Sequence, residues 1–353
     1  MTSILMTHPR VLGIPSYPIG YGMLGLTWRG TPKPFEESIE VMKEALALGA
    51  NNWNAGEIYG TPDRNSLHLL AQYFDKYPDD ADKIILNVKG GMIVGKLAPD
   101  GSEKNIRRSV DECVRILGGR KTIDIFEMAR VDGERGNQEA MATLTACVRE
   151  GKIKSIGLSE VSAQTVRAAH RQAGDMIASV EVELSLWTPD ILDNGIAATC
   201  AELEIPIFAY SPLARGAITD SPIRSNADIP DGDVRKILPR YQDDVLAANN
   251  KLTDAVIAIA RKKEWTAAQV AIAWVRGQSG RTRTVKTENG EQKKIKLGTI
   301  IPIPGASTVE RVRENLKDLT LMEEELSELD ELVDKHPVRG DRYHGPGMHH
   351  VNG

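Results

Sequence analysis

Two apolar rhythms alternate along this chain. Short runs rich in branched aliphatic residues give way to longer stretches whose apolar positions recur every three or four residues. The first rhythm suits a buried strand and the second one face of a helix. Runs at 19–24, 51–54, 84–88, 123–128, 153–158, 179–184, 205–210 and 299–303 predict strands. Phe35, Ile39, Met42, Ala45 and Leu46 predict a helix, as do Leu67, Leu69, Leu70, Tyr73 and Phe74. Further helices are expected at 104–118, 137–150, 161–173 and 190–203, in a block at 242–278, and finally at 308–317. Strands separated by helices mean a parallel sheet. Eight such units with no Pro/Gly/Ser-rich linker predict a closed (β/α)8 TIM barrel, one domain over residues 1–353.

An open doubly wound sheet is the alternative, and it would carry a glycine-rich phosphate loop after its first strand. Gly20-Tyr21-Gly22-Met23-Leu24-Gly25 has the GxGxxG spacing. No helix pattern opens at its last glycine, since Thr27-Trp28-Arg29-Gly30-Thr31-Pro32 follows. Glycines inside this run instead predict close approach by a ligand or another backbone. Three segments stand outside the repeating units. Residues 7–18 read as an N-terminal hairpin. Residues 280–297 are polar and basic, with Asn289-Gly290 as a turn signal, and predict a surface hairpin inserted before the last strand. The tail, 336–353, has no periodicity; it either folds over the barrel mouth or stays disordered. Its His349-His350 pair lacks a third ligand at useful spacing, so no metal is expected.

Composition narrows the function classes. A net charge of -5 gives no general attraction to nucleic acid or an anionic membrane. No run approaches the ~18 apolar residues of a membrane helix. Cys113, Cys147 and Cys200 fall far apart in helix-like stretches, which predicts buried free thiols in a reducing compartment. Residues 1–10 show no basic-then-apolar signal pattern, so the expected location is the cytoplasm, with the nucleus open as a second compartment. Nothing in the pattern sets an oligomeric state.

Candidate chemistry centres on 51–60, where a strand ends and a turn presents Tyr59. A phenol, with a pKa of about 10, becomes a good proton donor when a neighbouring cation lowers that value. The candidate cation is Lys89, at the end of the next apolar run. Two such residues at the ends of successive strands are what a barrel needs to build a site. The structural alternative is a packed tyrosine ring and a solvated lysine.

Four further motifs bear on this. Asn54-Ala55-Gly56-Glu57-Ile58-Tyr59-Gly60, Gly157-Leu158-Ser159-Glu160, the run Ala209-Tyr210-Ser211-Pro212-Leu213-Ala214-Arg215-Gly216, and the stretch from Ile303 to Asn315 together resemble the aldo-keto reductases along essentially the whole chain. Residues 126–132, 182–187 and 340–343 look closest to the fungal pyridoxal reductases within that superfamily. The resemblance implies NADPH extended across the barrel mouth and direct hydride transfer to an aldehyde, with pyridoxal going to pyridoxine. It implies a cofactor site of Gly22, Met23, Ser159, Glu181, Tyr210, Ser211, Leu213, Arg215, Gly216, Ser307, Arg311, Glu314 and Asn315. Tyr210 would stack on the nicotinamide, Ser159 would bind the carboxamide, and Arg311 would grip a 2'-phosphate. Ser307 as a plain helix cap, and Arg311 as a solvated charge, are the alternatives. Trp28 and Trp187 are the candidate substrate walls, with Arg342-Tyr343 joining them if the tail closes; Trp53 is expected to pack beneath the neighbouring helices.

The chain departs from the family at several of these positions. The usual tetrad is Asp, Tyr, Lys and His; here Asn54 and Ala129 stand at the Asp and His positions. The carboxamide-binding Asn and Gln positions hold Glu160 and Glu181. Asn54 can orient Lys89 but brings no charge, so a less fully charged Lys89 is expected. Glu127 reads as a structural polar group or a proton relay. Two other functions stay open: a broad-specificity aldehyde reductase, and a low-turnover NADPH-binding regulatory subunit resembling the potassium-channel β subunits.

Overall fold

The computed structural model describes residues 8–345, apart from Leu97, Glu134 and residues 287–291. Eight strands form one sheet in sequence order: Tyr21–Gly22 (β1), Asn52–Gly56 (β2), Ile85–Gly90 (β3), Ile123–Met128 (β4), Ile153–Ser159 (β5), Ile177–Glu183 (β6), Ile207–Tyr210 (β7) and Ile300–Pro302 (β8). Every neighbouring pair is parallel. The sheet also closes on itself: Gly20 N donates to Pro302 O at 2.9 Å, Gly22 N donates to Pro304 O at 3.0 Å, and Gly22 bridges Gly305. This is the expected (β/α)8 barrel, and its sequential strand order excludes a doubly wound sheet.

Closure explains the glycines of the first strand. A Cβ on Gly20 would lie 2.8 Å from Ile303 Cγ2, and one on Gly22 would lie 2.9 Å from Ile303 O. The expected close approach is therefore the last strand meeting the first. Only Tyr21–Gly22 of the predicted 19–24 run is strand, because Leu24–Thr27 turns into a short helix.

The helices are Phe35–Ala47 (α1), Ser66–Lys76 (α2), Glu103–Leu117 (α3), Gln138–Arg149 (α4), Ala163–Ala173 (α5), Ile196–Glu202 (α6), Asp243–Lys262 (α7), Ala267–Gly277 (α8), Val309–Asn315 (α9) and Glu323–Lys335 (α10). Side-chain caps set several starts, with Asn65 capping α2, Ser102 capping α3 and Ser162 capping α5. Thr266 and Gln269 form a capping box that divides the predicted 242–278 block into α7 and α8. Helix α10 was not expected from the sequence; it buries Leu326 and Leu329 beside α8.

Residues 10–11 pair antiparallel with 14–15, and Val11 is fully buried with Ile85, Ile125, Phe208 and Ile301. The second departure from the barrel is an antiparallel pair, 282–286 with 292–296; its Asn289-Gly290 turn lies outside the described residues. All three cysteines are buried free thiols. No described helix is long and apolar enough to cross a membrane.

Along β3 and β4, alternate residues share one face. Ile85, Asn87 and Lys89 form one such row, and Ile125 and Glu127 another. Each row begins in the apolar cluster with Val11 and becomes polar toward the strand's C-terminal end. The chemistry is thereby confined to one mouth.

Candidate active site

Asn54 lies near the end of β2, and the chain then turns at Gly56 to present Tyr59. A Cβ at Gly56 would crowd the Tyr59 ring, at 3.2 Å. Thr27 Oγ1 donates to Tyr59 O at 2.7 Å, and Glu57 is held by Arg108 at 2.6 Å and by Ser109 at 2.5 Å. The Tyr59 side chain is buried, and Lys89 Nζ lies 6.0 Å from its ring centroid. The structure thus brings the two together as expected.

The electrostatics differ from the sequence expectation. Burial pushes the Tyr59 phenol up to about 12, and Lys89 only partly offsets that rise. Lys89 does not become a weaker cation. Burial pulls its pKa down, but Glu127 and Glu181 outweigh burial and hold the ammonium above its ordinary range. Lys89 Nζ is 2.9 Å from Glu127 Oε1, pairs closely with Glu181 and donates to Asn54 Oδ1 at 3.2 Å. Glu181, expected at a cofactor carboxamide, thus directs its carboxylate to Lys89, and it accepts from Asn54 Nδ2 at 2.5 Å. Burial, reinforced by Glu127 and opposed by Lys89, pushes the Glu181 carboxyl up to about 8. The contact from Lys89 to Glu127 is an ion pair rather than a directed hydrogen bond, and both Glu127 oxygens are otherwise unpartnered.

A second cluster covers the mouth. Tyr210 Oη donates to Glu160 Oε1 at 2.8 Å. Arg342, from the tail, donates to Glu160 at 2.8 Å, to Glu183 at 3.0 Å and to Tyr210 Oη at 2.9 Å. Tyr343 Oη is 3.0 Å from Tyr210 Oη and accepts from Arg130 at 3.1 Å, and the Arg215 guanidinium lies 4.4 Å from the Tyr343 ring centroid. Arg215 also donates to Glu183 at 3.1 Å. The tail through residue 345 therefore folds over the mouth; residues 346–353, with the histidine pair, lie outside the described residues. Sequence reading missed Glu183 and Arg130 and underrated Glu127. A usable signal was present: Glu127, Glu181 and Glu183 sit inside otherwise apolar strand runs, where a charge needs a partner.

The other expected residues fall as follows. Ser159 Oγ is buried with no hydrogen-bond partner. Ser211, Ala214, Arg215 and Gly216 all have left-handed backbone, forming a tight turn after β7 that includes Leu213. Gly22 and Met23 sit at the seam, with Met23 N donating to Asn54 O at 2.9 Å. Thr308, not Ser307, caps α9, and Ser307 Oγ instead accepts from Arg29 at 3.2 Å. Arg311 is exposed, Glu314 half-buried and Asn315 buried. Trp28 is 38% exposed, with its ring 6.0 Å from that of Tyr59. Trp187 is buried, donating to Thr253 at 3.2 Å and packing on Tyr241. Trp53 is fully buried between Tyr21 and Tyr73. Ala129 offers no side-chain donor.

The chain forms a sequential closed barrel with a tyrosine and a lysine at its C-terminal mouth, and the Aldo/keto reductase family model matches residues 18–334. The chain belongs to that family. It is 38% identical over 344 residues to "Probable pyridoxal reductase 2" of Schizosaccharomyces pombe, covering 95% of this chain and 97% of that one. It is 37% identical over 342 residues to "Putative pyridoxal reductase" of Saccharomyces cerevisiae, covering 92% and 95%. Among solved structures, the glycerol dehydrogenase of Gluconobacter oxydans superposes with a TM-score of 0.78 at 21% identity, covering 95% of this chain and 97% of that one. That last likeness concerns the fold alone.

Proposed function

We propose that this protein reduces pyridoxal to pyridoxine, with NADPH as the hydride donor. The observation that carries the reading is the Tyr59 phenol beside a buried Lys89 ammonium at the C-terminal end of the barrel. Similarity to the two yeast proteins supports the choice of aldehyde. Trp28 supports it too, since its half-exposed ring would wall a flat heteroaromatic substrate beside Tyr59.

Several residues suit the cofactor. The orphaned Ser159 hydroxyl would bind a carboxamide, and the left-handed turn at 214–216 allows backbone to approach a pyrophosphate. Arg311 has no ion-pair partner among the described residues, and its forked donors favour a 2'-phosphate. When bound, NADPH supplies the hydride for the carbonyl carbon. The chain supplies the proton: Tyr59 Oη donates to the carbonyl oxygen, and Lys89 stabilises the phenolate left behind. Tyr210 keeps its hydroxyl tied to Glu160, which steadies the ring for stacking.

The test is cofactor absorbance in a mixture of protein, NADPH and pyridoxal. Consumption is expected, and Tyr59→Phe should lower kcat by about 10²–10⁴, the usual worth of a general acid. Turnover within a few-fold of wild type in that variant would remove Tyr59 from the role. Equal kcat/KM across an aldehyde panel would make the protein a general aldehyde reductase. Tight NADPH binding with no consumption would favour the regulatory subunit.

A further inference from the structure

Two departures from the family pattern meet in space. The position usually held by Asp is Asn54, and the position usually held by an amide is Glu181. In the folded chain these side chains touch, with Asn54 Nδ2 donating to Glu181 Oε2 at 2.5 Å while Asn54 Oδ1 accepts from Lys89 at 3.2 Å. The amide and the carboxylate have exchanged places around one lysine. An ionised Asp at position 54 could not donate to Glu181, and it would add a third carboxylate to a closed pocket.

A third strand completes the cluster. Glu127 is the register partner of Lys89 on one side and of Gly157 on the other. A Cβ at position 157 would lie 2.8 Å from Glu127 Oε2 and 3.0 Å from Glu127 Cβ. The bare backbone of β5 thereby leaves room for the Glu127 carboxylate inside the barrel. Glu127 is fully buried and Glu181 is 1% exposed, so one ammonium faces two carboxyls away from water.

We infer that Glu181 and Glu127 are positioning residues for the proton transfer: they supply the carboxylate missing at Asn54 and hold Lys89 charged against Tyr59, and ionisation of Glu181 weakens Tyr59 as an acid. The inference rests on Tyr59 being the general acid. With Glu181 protonated the lysine and the two carboxyls are neutral together; with Glu181 ionised they carry one net negative charge. Both carboxylates raise the Tyr59 pKa, so ionising Glu181 makes the phenol harder to ionise. The groups facing Glu181 are Lys89 and Asn87 from β3, Glu127 from β4, Asn54 from β2 and Tyr59 from the turn after it. Ser159 on β5 and Phe208 on β7 are its register partners, and neither carries charge. Farther out, Arg130 also feels the Tyr59 phenol.

The experiment compares kcat against pH, at saturating NADPH and aldehyde, for wild type, Glu181→Gln, Glu127→Gln, Asn54→Asp and the reciprocal double variant N54D/E181Q. Wild-type kcat should fall as pH rises through about 8. Glu181→Gln should extend the plateau by a pH unit or more, on the order of the spread seen for perturbed carboxyls. Asn54→Asp should cost about tenfold or more, and the reciprocal double variant should regain most of that loss, as coupled neighbours do. A wild-type profile in Glu181→Gln, or a double variant no better than Asn54→Asp alone, overturns the inference. If Glu181→Gln does not fold, Glu127→Gln carries the same comparison. A parallel readout needs no turnover: phenolate absorbance of each variant, minus that of its Tyr59→Phe counterpart, gives the Tyr59 ionisation directly. Its midpoint should drop in Glu181→Gln, and an unchanged midpoint overturns the inference. If no aldehyde is reduced, the functional reading fails while this titration still decides the role of the glutamates.

Discussion

Lys89 shows how much a single residue depends on what surrounds it. A buried ammonium ordinarily loses its charge, yet here two carboxyls hold the proton on. Lys89→Met should therefore do more than remove a cation. It would leave Glu127 and Glu181 facing each other, and kcat should fall by about 10² or more, in line with a lost electrostatic partner. The same pair makes a stability prediction. The Glu181 pKa is raised from 4.5 to about 8 in the folded state. Its favourable contribution is thus fully present below about 4.5 and is lost as pH rises through about 8. The melting temperature of wild type minus that of Glu181→Gln should accordingly decrease between these pH values, as measured by thermal unfolding. Of these residues, Tyr59 and Lys89 were legible in the sequence because Lys89 lies at the end of a strand and Tyr59 in the turn just after one. The charge around them was not, because it comes from the neighbouring and opposite strands.

Among the elements, the tail and α10 depart furthest from the repeating pattern. Arg342 brings a guanidinium to Glu160 and Glu183, which are buried to 0% and 3% exposure. Burial alone would raise the Glu183 pKa, but Arg215, Arg342 and Arg240 together lower it. Removing one guanidinium leaves a buried carboxylate short of charge. Arg342→Ala should cost about 2–4 kcal/mol in denaturant unfolding, with a raised KM for the cofactor because Tyr210 loses a partner. Helix α10 is held by Asp330, which accepts from Trp274 at 2.9 Å, Arg281 at 2.6 Å and Arg283 at 2.8 Å. Asp330→Ala should cost about 2–3 kcal/mol, since three donors lose one acceptor. The sequence left the tail open between closure and disorder and missed α10. The tail has no apolar rhythm, and the charged surface of α10 hides the two leucines that anchor it.

At the scale of the whole molecule, barrel closure sets everything else. The seam between β1 and β8 is made by backbone atoms, so it tolerates no side chain at Gly22. Gly22→Ala should cost about 1–3 kcal/mol by overpacking, read by thermal unfolding, with activity loss following from displacement of the adjacent Met23. The closed sheet also explains why polar groups collect at one end. The interior floor is sealed by Val11, Ile85, Ile125, Phe208 and Ile301, which leaves the opposite mouth for chemistry.

By itself the sequence determined the alternation of eight strands with helices, and hence the barrel. It also determined that Lys89 at the end of one strand and Tyr59 in the turn after its neighbour would lie at one mouth, because periodicity and chain order are local properties. Only the tertiary structure decided which carboxyls answer Lys89. Glu127 and Glu181 lie 38 and 92 residues beyond it in the chain. Their meeting depends on the strand register, on the empty position at Gly157 and on the curvature that turns β3, β4 and β6 toward a common interior. No pattern along the chain records which inward-facing side chains share a layer; that follows from the closed sheet.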